Sequence, residues 1–360
     1  MSAALDEIRQ RLRRFADDAA ASSPLYGHLA GEAAADDEIA ALLTAAPRER
    51  ADAPLLLAAV QRVLQAEPFH ELTNYYPALG GSYGPDGGTW PLFRTFALER
   101  ADRVRSLIAT RVPRTNEVGR AALLYPAVAL AARQAGGAVG LLEVNACAGL
   151  LLGMDTYAYR YQTEQAGQIA AGPGRAVLGL HCALRLEAGQ KGPTIPKRLS
   201  IAARVGLDPA PVDLDDEDEY AWLEACIWPD QPDRLRQFGA AATARKKKPP
   251  VLVTGDPVTG LADAAARIAE DLPVVVVTSD ALRGFAADRV AAFVAAMDAL
   301  AARRPMWWVS LESHEAGLFT DRPDLATGQA VLACTKWVGG RRVTTALAQT
   351  SWHGERMHWL

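Results

Sequence analysis

Cysteine is scarce in this 360-residue chain: Cys147, Cys182, Cys226 and Cys334 stand at long intervals, with no CxxC pair. That excludes a disulfide framework and the usual zinc-ligand spacings, so no metal site is expected and the thiols read as reduced groups of a cytoplasmic protein. No apolar run approaches the ~20 residues of a membrane span. The opening MSAALDEIRQRLRRF alternates charged and apolar residues, without the apolar stretch of a signal peptide. An excess of one charge is missing too. With 38 Lys+Arg against 42 Asp+Glu the formal net charge is −4, which argues against a nucleic-acid footprint over the surface. The one basic run, Arg245 to Lys248, reads as a solvated loop. A GxGxxG fingerprint, a P-loop, a GxSxG elbow between strand and helix, and HExxH are all absent, which disfavours nicotinamide-dependent oxidoreductases and removes three other large enzyme classes.

What is present is a chain 50% hydrophobic, long enough for one large domain with a substantial subdomain. Helical spacing dominates the start: Leu5, Ile8, Leu12 and Phe15 recur on one face, and further helical patterns run to Ala66. Phe69 to Trp90 then gathers glycines and aromatics that no regular element accommodates, either a functional loop or a structural Ω-loop. In it Asn74, Tyr75, Tyr76 and Tyr83 have the reach to touch a ligand. Residues 1–112 therefore read as a helical cap, and 113–360 as an α/β domain with a hairpin inserted near 157–187.

The α/β domain is organised around Val139 to Met154, VGLLEVNACAGLLLGM. A short strand ends near Glu143, a turn of small residues follows, and a leucine run opens a helix, an arrangement that brings ligands to backbone amides. Just upstream, Thr115 or Asn116 is a plausible cap for the next helix, and Glu117 and Arg120 share one of its faces. They form either a surface pair or a polar cluster aimed into a pocket. Later strands are expected over Leu199–Asp208, Val251–Thr254, Val274–Thr278 and Met306–Leu311, with a two-glycine hairpin from Val331 to Thr350. Glu143, Asp208, Asp256 and Asp280 then fall along one edge of a mostly parallel sheet, the edge where open α/β sheets bind ligands. The acidic run Asp213 to Glu219 is a helix cap or a metal site.

These pieces resemble a bacterial family catalogued as domain of unknown function 2332. The resemblance rests on SPLY (Ser23 to Tyr26), NYYPALGG (Asn74 to Gly81), TNEVGR (Thr115 to Arg120) and LLEV…AGL (Leu141 to Leu150). It continues through GLDPAPVDL (Gly206 to Leu214), WLEACIWPDQ (Trp222 to Gln231), Gly255-Asp256 and WVSLE (Trp308 to Glu312). The strand order also resembles that of class I S-adenosylmethionine-dependent methyltransferases, a Rossmann-like fold with a terminal antiparallel hairpin. That resemblance implies that Glu143, Asn145, Ala146 and Gly149 accommodate the methionine part of S-adenosylmethionine. It further implies that Asp208 holds the ribose hydroxyls and that Asp256 lies by the adenine. The chain departs from the pattern at Asn145, where related sequences have glycine in a GASAG-like turn. Asparagine tolerates the left-handed backbone better than other non-glycine residues, but its side chain can fill space that the cofactor needs.

The expected function is thus a methyltransferase, or another enzyme using that cofactor, acting on a small molecule. Glu117, Asp280 and His314 are the candidate bases, and Asn74, Tyr75, Tyr76, Thr115, Asn116 and Arg120 the candidate substrate contacts. The alternative is a binding or scaffold protein that keeps the sheet without the cofactor chemistry.

Overall fold

The computed structural model describes residues 3–114, 116–164, 167–186, 189 and 191–360. Helices α1 (Ala3–Ala19), α2 (Pro24–Ala35), α3 (Asp37–Leu42), α4 (Ala53–Gln65), α5 (Thr89–Glu99), α6 (Ala101–Thr110) and α7 (Arg120–Gln134) come first. Strands β1 (Val139–Val144), β2 (Ala158–Thr163), β3 (Gly167–Ala171), β4 (Gly179–Leu186) and β5 (Ile201–Asp208) follow, then α8 (Glu217–Ala225) and α9 (Pro232–Lys247). The last part holds β6 (Val251–Thr254), α10 (Leu261–Ala265), β7 (Val274–Ser279), α11 (Ala287–Ala301) and β8 (Met306–Ser313). It ends with β9 (Ala330–Val338), β10 (Arg341–Thr350) and β11 (Arg356–Trp359). The chain forms two compact units, residues 1–115 with 213–236 and residues 116–212 with 237–360.

The first unit is helical. Ser23 caps α2, accepting the Tyr26 N–H at 3.2 Å while its hydroxyl donates to Asp230 at 2.7 Å. The Trp222 indole N–H donates to the Val112 carbonyl at 2.9 Å, and the Gln61 amide donates to the Ile227 carbonyl at 3.0 Å. SPLY and WLEACIWPDQ are therefore largely anchors of this unit. The acidic run is a cap: Asp216 accepts the N–H groups of Asp218 and Glu219, and Asp218 pairs with Arg62 and Arg111. Acidic residues in a first turn also complement the helix dipole.

The second unit is α/β. Among the described residues its eleven strands form one sheet in the order β3-β2-β4-β11-β10-β9-β8-β7-β1-β5-β6. From β6 to β8 all neighbours are parallel, and the chain order reverses at β1, which has β5 on one side and β7 on the other. Val274 to Val277 are buried without alternation, as expected of a strand covered on both faces. β9 and β10 form the hairpin through Gly339-Gly340, antiparallel to β8. β11 then pairs with β10 and, in parallel, with β4, so the 158–186 segment extends the same sheet. Within it β2 and β4 run parallel, and the antiparallel partner of β2 is the short, mostly exposed β3.

Two local expectations are corrected. The leucine run after β1 forms a 3-10 segment, Leu151–Thr156, and not an α-helix. Carbonyls that an α-helix would use are taken by side chains: the Tyr157 hydroxyl bonds Leu150 O and the Tyr159 hydroxyl bonds Met154 O, each at 2.6 Å. The basic run Arg245 to Lys247 is the last turn of α9 and not a loop, where cations suit the carbonyl end of a helix.

The turn after β1 packs on Gly206 of β5 so closely that a Cβ there would lie 2.8 Å from that of Ala146 and 2.7 Å from Leu252 Cδ2. Overpacking of this kind costs about 1–3 kcal/mol. Gly206→Ala is expected to lower the urea midpoint accordingly; an unchanged midpoint would show that the turn is loosely seated.

Candidate functional site at the carboxyl edge

The turn after β1 is held by its own backbone. Asn145, Cys147 and Gly149 have φ of 62°, 51° and 67°. A left-handed residue other than glycine costs roughly 1–2 kcal/mol, least for asparagine, so Cys147 must be held from outside. The Asp208 carboxylate accepts its N–H at 2.7 Å, and Val212 N–H donates to its carbonyl at 3.1 Å. The second Asp208 oxygen accepts Ala210 N–H at 2.8 Å. The amides of Asn145 and Ala146 both donate to Leu207 O, and that of Gly149 to Ala146 O. Beside the turn, burial pushes the Glu143 carboxyl well above the carboxylate range, reinforced by the charge of Asp208 and opposed by Leu152 N–H. Its Oε2 has no hydrogen-bond partner among the described residues. The Asn116 side-chain amide donates to Cys147 Sγ at 3.0 Å.

Next to Asn116 a polar cluster spans the ends of β7 and β8. Glu117, with a side chain only 2% exposed, accepts a bond from Nδ1 of His353, whose side chain is 41% exposed, at 2.9 Å. Arg120, the first residue of α7, is buried and donates to Trp352 O at 2.9 Å and to Ser279 O at 3.2 Å, with Asp280 at 3.5 Å. Burial pulls its guanidinium down from the arginine range, against the raising charges of Asp280, Glu117 and Glu312. Asp280, itself at φ 58°, also accepts from Arg283 at 2.9 Å. Arg120 and Arg283 both lie within 6 Å of the Trp352 ring, at 5.9 and 5.2 Å. Glu312, at the end of β8, accepts the N–H groups of Ala281 and Leu282 at 3.1 and 3.2 Å. Burial raises its carboxyl to about 7, against the lowering effect of those two amides.

The structure therefore brings together Asn116, Glu117, Arg120 and Asp280, and gathers Glu143, Asn145, Ala146, Gly149 and Asp208 at the β1–β5 end. Asp256 sits in the loop after the edge strand β6, where Arg289 pairs with it at 2.5 Å and the amides of Val258 and Thr259 bond its other oxygen. His314 bonds the Arg322 carbonyl at 3.1 Å, outside the cluster. Asn74, Tyr75 and Tyr76 belong to the helical unit: Asn74 is exposed, Tyr75 donates to Asp86 at 2.9 Å, and Tyr76 is buried in that unit's core. Thr115 lies outside the described residues. Sequence reasoning missed His353, Trp352 and Glu312. Glu312 was visible as the last residue of WVSLE, whereas His353 sits in a short loop between β10 and β11 that no motif marks.

Over residues 9–359 the chain matches the family described as "Uncharacterized protein conserved in bacteria (DUF2332)", and it belongs to that family. No curated protein and no solved structure matches it. Among the described residues no helix is long and apolar enough to cross a membrane.

The raised carboxyl of Glu312 carries a pH signature. Between the ordinary glutamate value of 4.5 and about 7, the folded state holds a proton that the unfolded state has released. Stability therefore falls as pH rises through that window and levels off above it, a component of roughly 3 kcal/mol. Glu312→Gln is expected to remove this component from urea denaturation measured between pH 5 and pH 7.5. It should also lower stability by about 1–3 kcal/mol, because one backbone N–H then faces the new amide. An identical pH slope in the variant would rule out Glu312 as its source.

Proposed function

We propose that this chain is an enzyme acting on a small molecule at the carboxyl edge of β1, β7 and β8, with His353 as general base and Glu117 orienting it. The observation that carries this reading is the 2.9 Å pair of Glu117 with His353 Nδ1. A buried carboxylate assigns the proton to Nδ1, which leaves Nε2 of a partly exposed ring as the acceptor. Such a nitrogen takes a proton from a hydroxyl, an amine or an acidic C–H of a positioned substrate. The cations beside Trp352, Arg120 and Arg283, stabilise negative charge on the substrate or developing in its transition state.

The resemblance to methyltransferases is supported by the reversal of strand order at β1. S-adenosylmethionine in its expected mode is not supported by the side chains. Asp208 is fully buried with both oxygens bonded to backbone amides, Asp256 is paired with Arg289, and the amides of Asn145, Ala146, Cys147 and Gly149 are engaged by β5 or by the turn itself. These residues do not fit that group, so the chemistry proposed rests on the chain's own side chains. The closed turn also favours the second reading, a binding protein without cofactor chemistry.

Incubation of the purified chain with a bacterial metabolite extract, followed by mass spectrometry, separates the readings. Wild type should deplete a small anionic metabolite, and His353→Gln should slow this by on the order of 10²–10⁴ at an unchanged melting temperature. Glu117→Gln should slow it less. A metabolite retained without conversion points to the binding protein, and depletion indifferent to His353→Gln sinks the proposed base. A thermal-shift titration with S-adenosylmethionine should show no stabilisation at millimolar ligand. A shift of several degrees, lost in Asp208→Ala, would restore the methyl donor.

A further inference from the structure

A cavity of about 670 Å³ lies on the α11 side of β8, β9 and β10, away from the Glu117–His353 pair. That is within the usual size of a small-molecule site. Its apolar walls come from α11 through Val290 and Val294, and from the segment after β8 through Leu318 and Phe319. Alanines at 287, 291 and 295 leave the room on the helix side. Its floor is polar. Ser310 of β8, Thr335 of β9 and Thr344 of β10 line it beside Trp308, and the two threonine hydroxyls bond each other at 2.9 Å.

Ser310 singles the cavity out. The residue is 2% exposed, and it lines the cavity with a hydroxyl set between apolar walls. A ligand's hydrogen-bonding group can meet that hydroxyl in place of water. The charges at the rim set the ligand's sign. Asp298 and Arg342 lie 3.2 Å apart and neutralise one another, and Asp298 also accepts the Trp337 indole N–H at 2.8 Å. Glu315, exposed on the opposite wall, has no cation partner among the described residues. The lining thus presents an apolar body site, the Ser310 hydroxyl and, in Glu315, a negative charge without a cation partner among the described residues.

We propose that this cavity is a second ligand site, one that takes a small apolar molecule bearing an amine. The amine faces Glu315, and a hydrogen-bonding group on the molecule reaches Ser310. The site is independent of the proton-transfer reading, since none of its lining residues belongs to the Glu117–His353–Arg120 cluster.

Three probes of equal size and different charge test it: 2-phenylethylamine, 2-phenylethanol and phenylacetate, titrated into the full chain and followed by NMR chemical shifts. The amine should bind ahead of the alcohol by roughly threefold to tenfold, with the acid weakest. Glu315→Gln should reduce the amine to the level of the alcohol. Ser310→Leu fills the floor, and Ala291→Trp blocks the mouth from an exposed helix position that leaves the core untouched; each should abolish binding of all three. No binding by the amine, preference for the acid, or unchanged binding in Ala291→Trp would overturn the proposal.

Discussion

The hydrogen bond from the Cys147 amide to Asp208 is the contact on which the carboxyl edge depends. Without it the Val212 N–H alone would hold the Cys147 backbone in the left-handed region, and the small-residue turn would loosen. Because it is made, the end of β5 and the segment to Val212 clasp Cys147 from both backbone sides. The cysteine sulfur accepts from Asn116, and the next residue, Glu117, meets His353. A continuous series of contacts thus runs from the end of β5 to the loop before β11. Asp208 fastens the turn with both oxygens, one on the Cys147 amide and the other on the Ala210 amide.

Period and punctuation made the sheet legible. The β-branched run at Val274 to Val277, the glycine pair at 339–340 and the acidic strand ends located the parallel core, its edge and the terminal hairpin, because burial and turn geometry there depend on local residue type. β3 and β11 were not legible. One is short, polar and exposed; the other is four residues after a turn, and its place between β10 and β4 follows from pairing over long sequence separations. Glu117, Arg120 and Asp280 were visible as polar residues next to apolar elements. Their convergence with His353, more than 230 positions away from Glu117, is tertiary and left no local trace.

Two glycines explain how that convergence is possible. A Cβ on Gly119 would lie 2.0 Å from His353 O, and one on Gly354, at φ 104°, would lie 2.2 Å from Gly119 O. The start of α7 and the loop before β11 approach more closely than any side chain permits, and both turn on glycine at the point of contact. The Glu117 carboxylate and the His353 ring are thereby delivered by two backbones in contact, so the pair does not depend on long, mobile side chains meeting in solvent. Positioning of that rigidity is what proton transfer requires of a base. It also makes Arg120, one residue beyond Gly119, a neighbour of Trp352 and Ser279 by necessity.

β8 joins this edge to the cavity on the α11 side. Trp308, Ser310 and Glu312 alternate onto one face of the strand, as its period of two dictates. The Trp308 indole can only donate, so Thr278 accepts its N–H at 3.0 Å. The Thr278 hydroxyl proton is then left for Glu312, whose carboxyl is lowered by that bond. Glu312 in turn fixes the amides of Ala281 and Leu282, the residues after Asp280. The donors thus converge on Glu312, from Trp308 through Thr278 on one side and from the amides of Ala281 and Leu282 on the other, beside the loop that holds Asp280 against Arg120. Burial rather than charge pairing raises the Glu312 carboxyl to about 7, and its protonation changes which bonds it can accept from Thr278, Ala281 and Leu282.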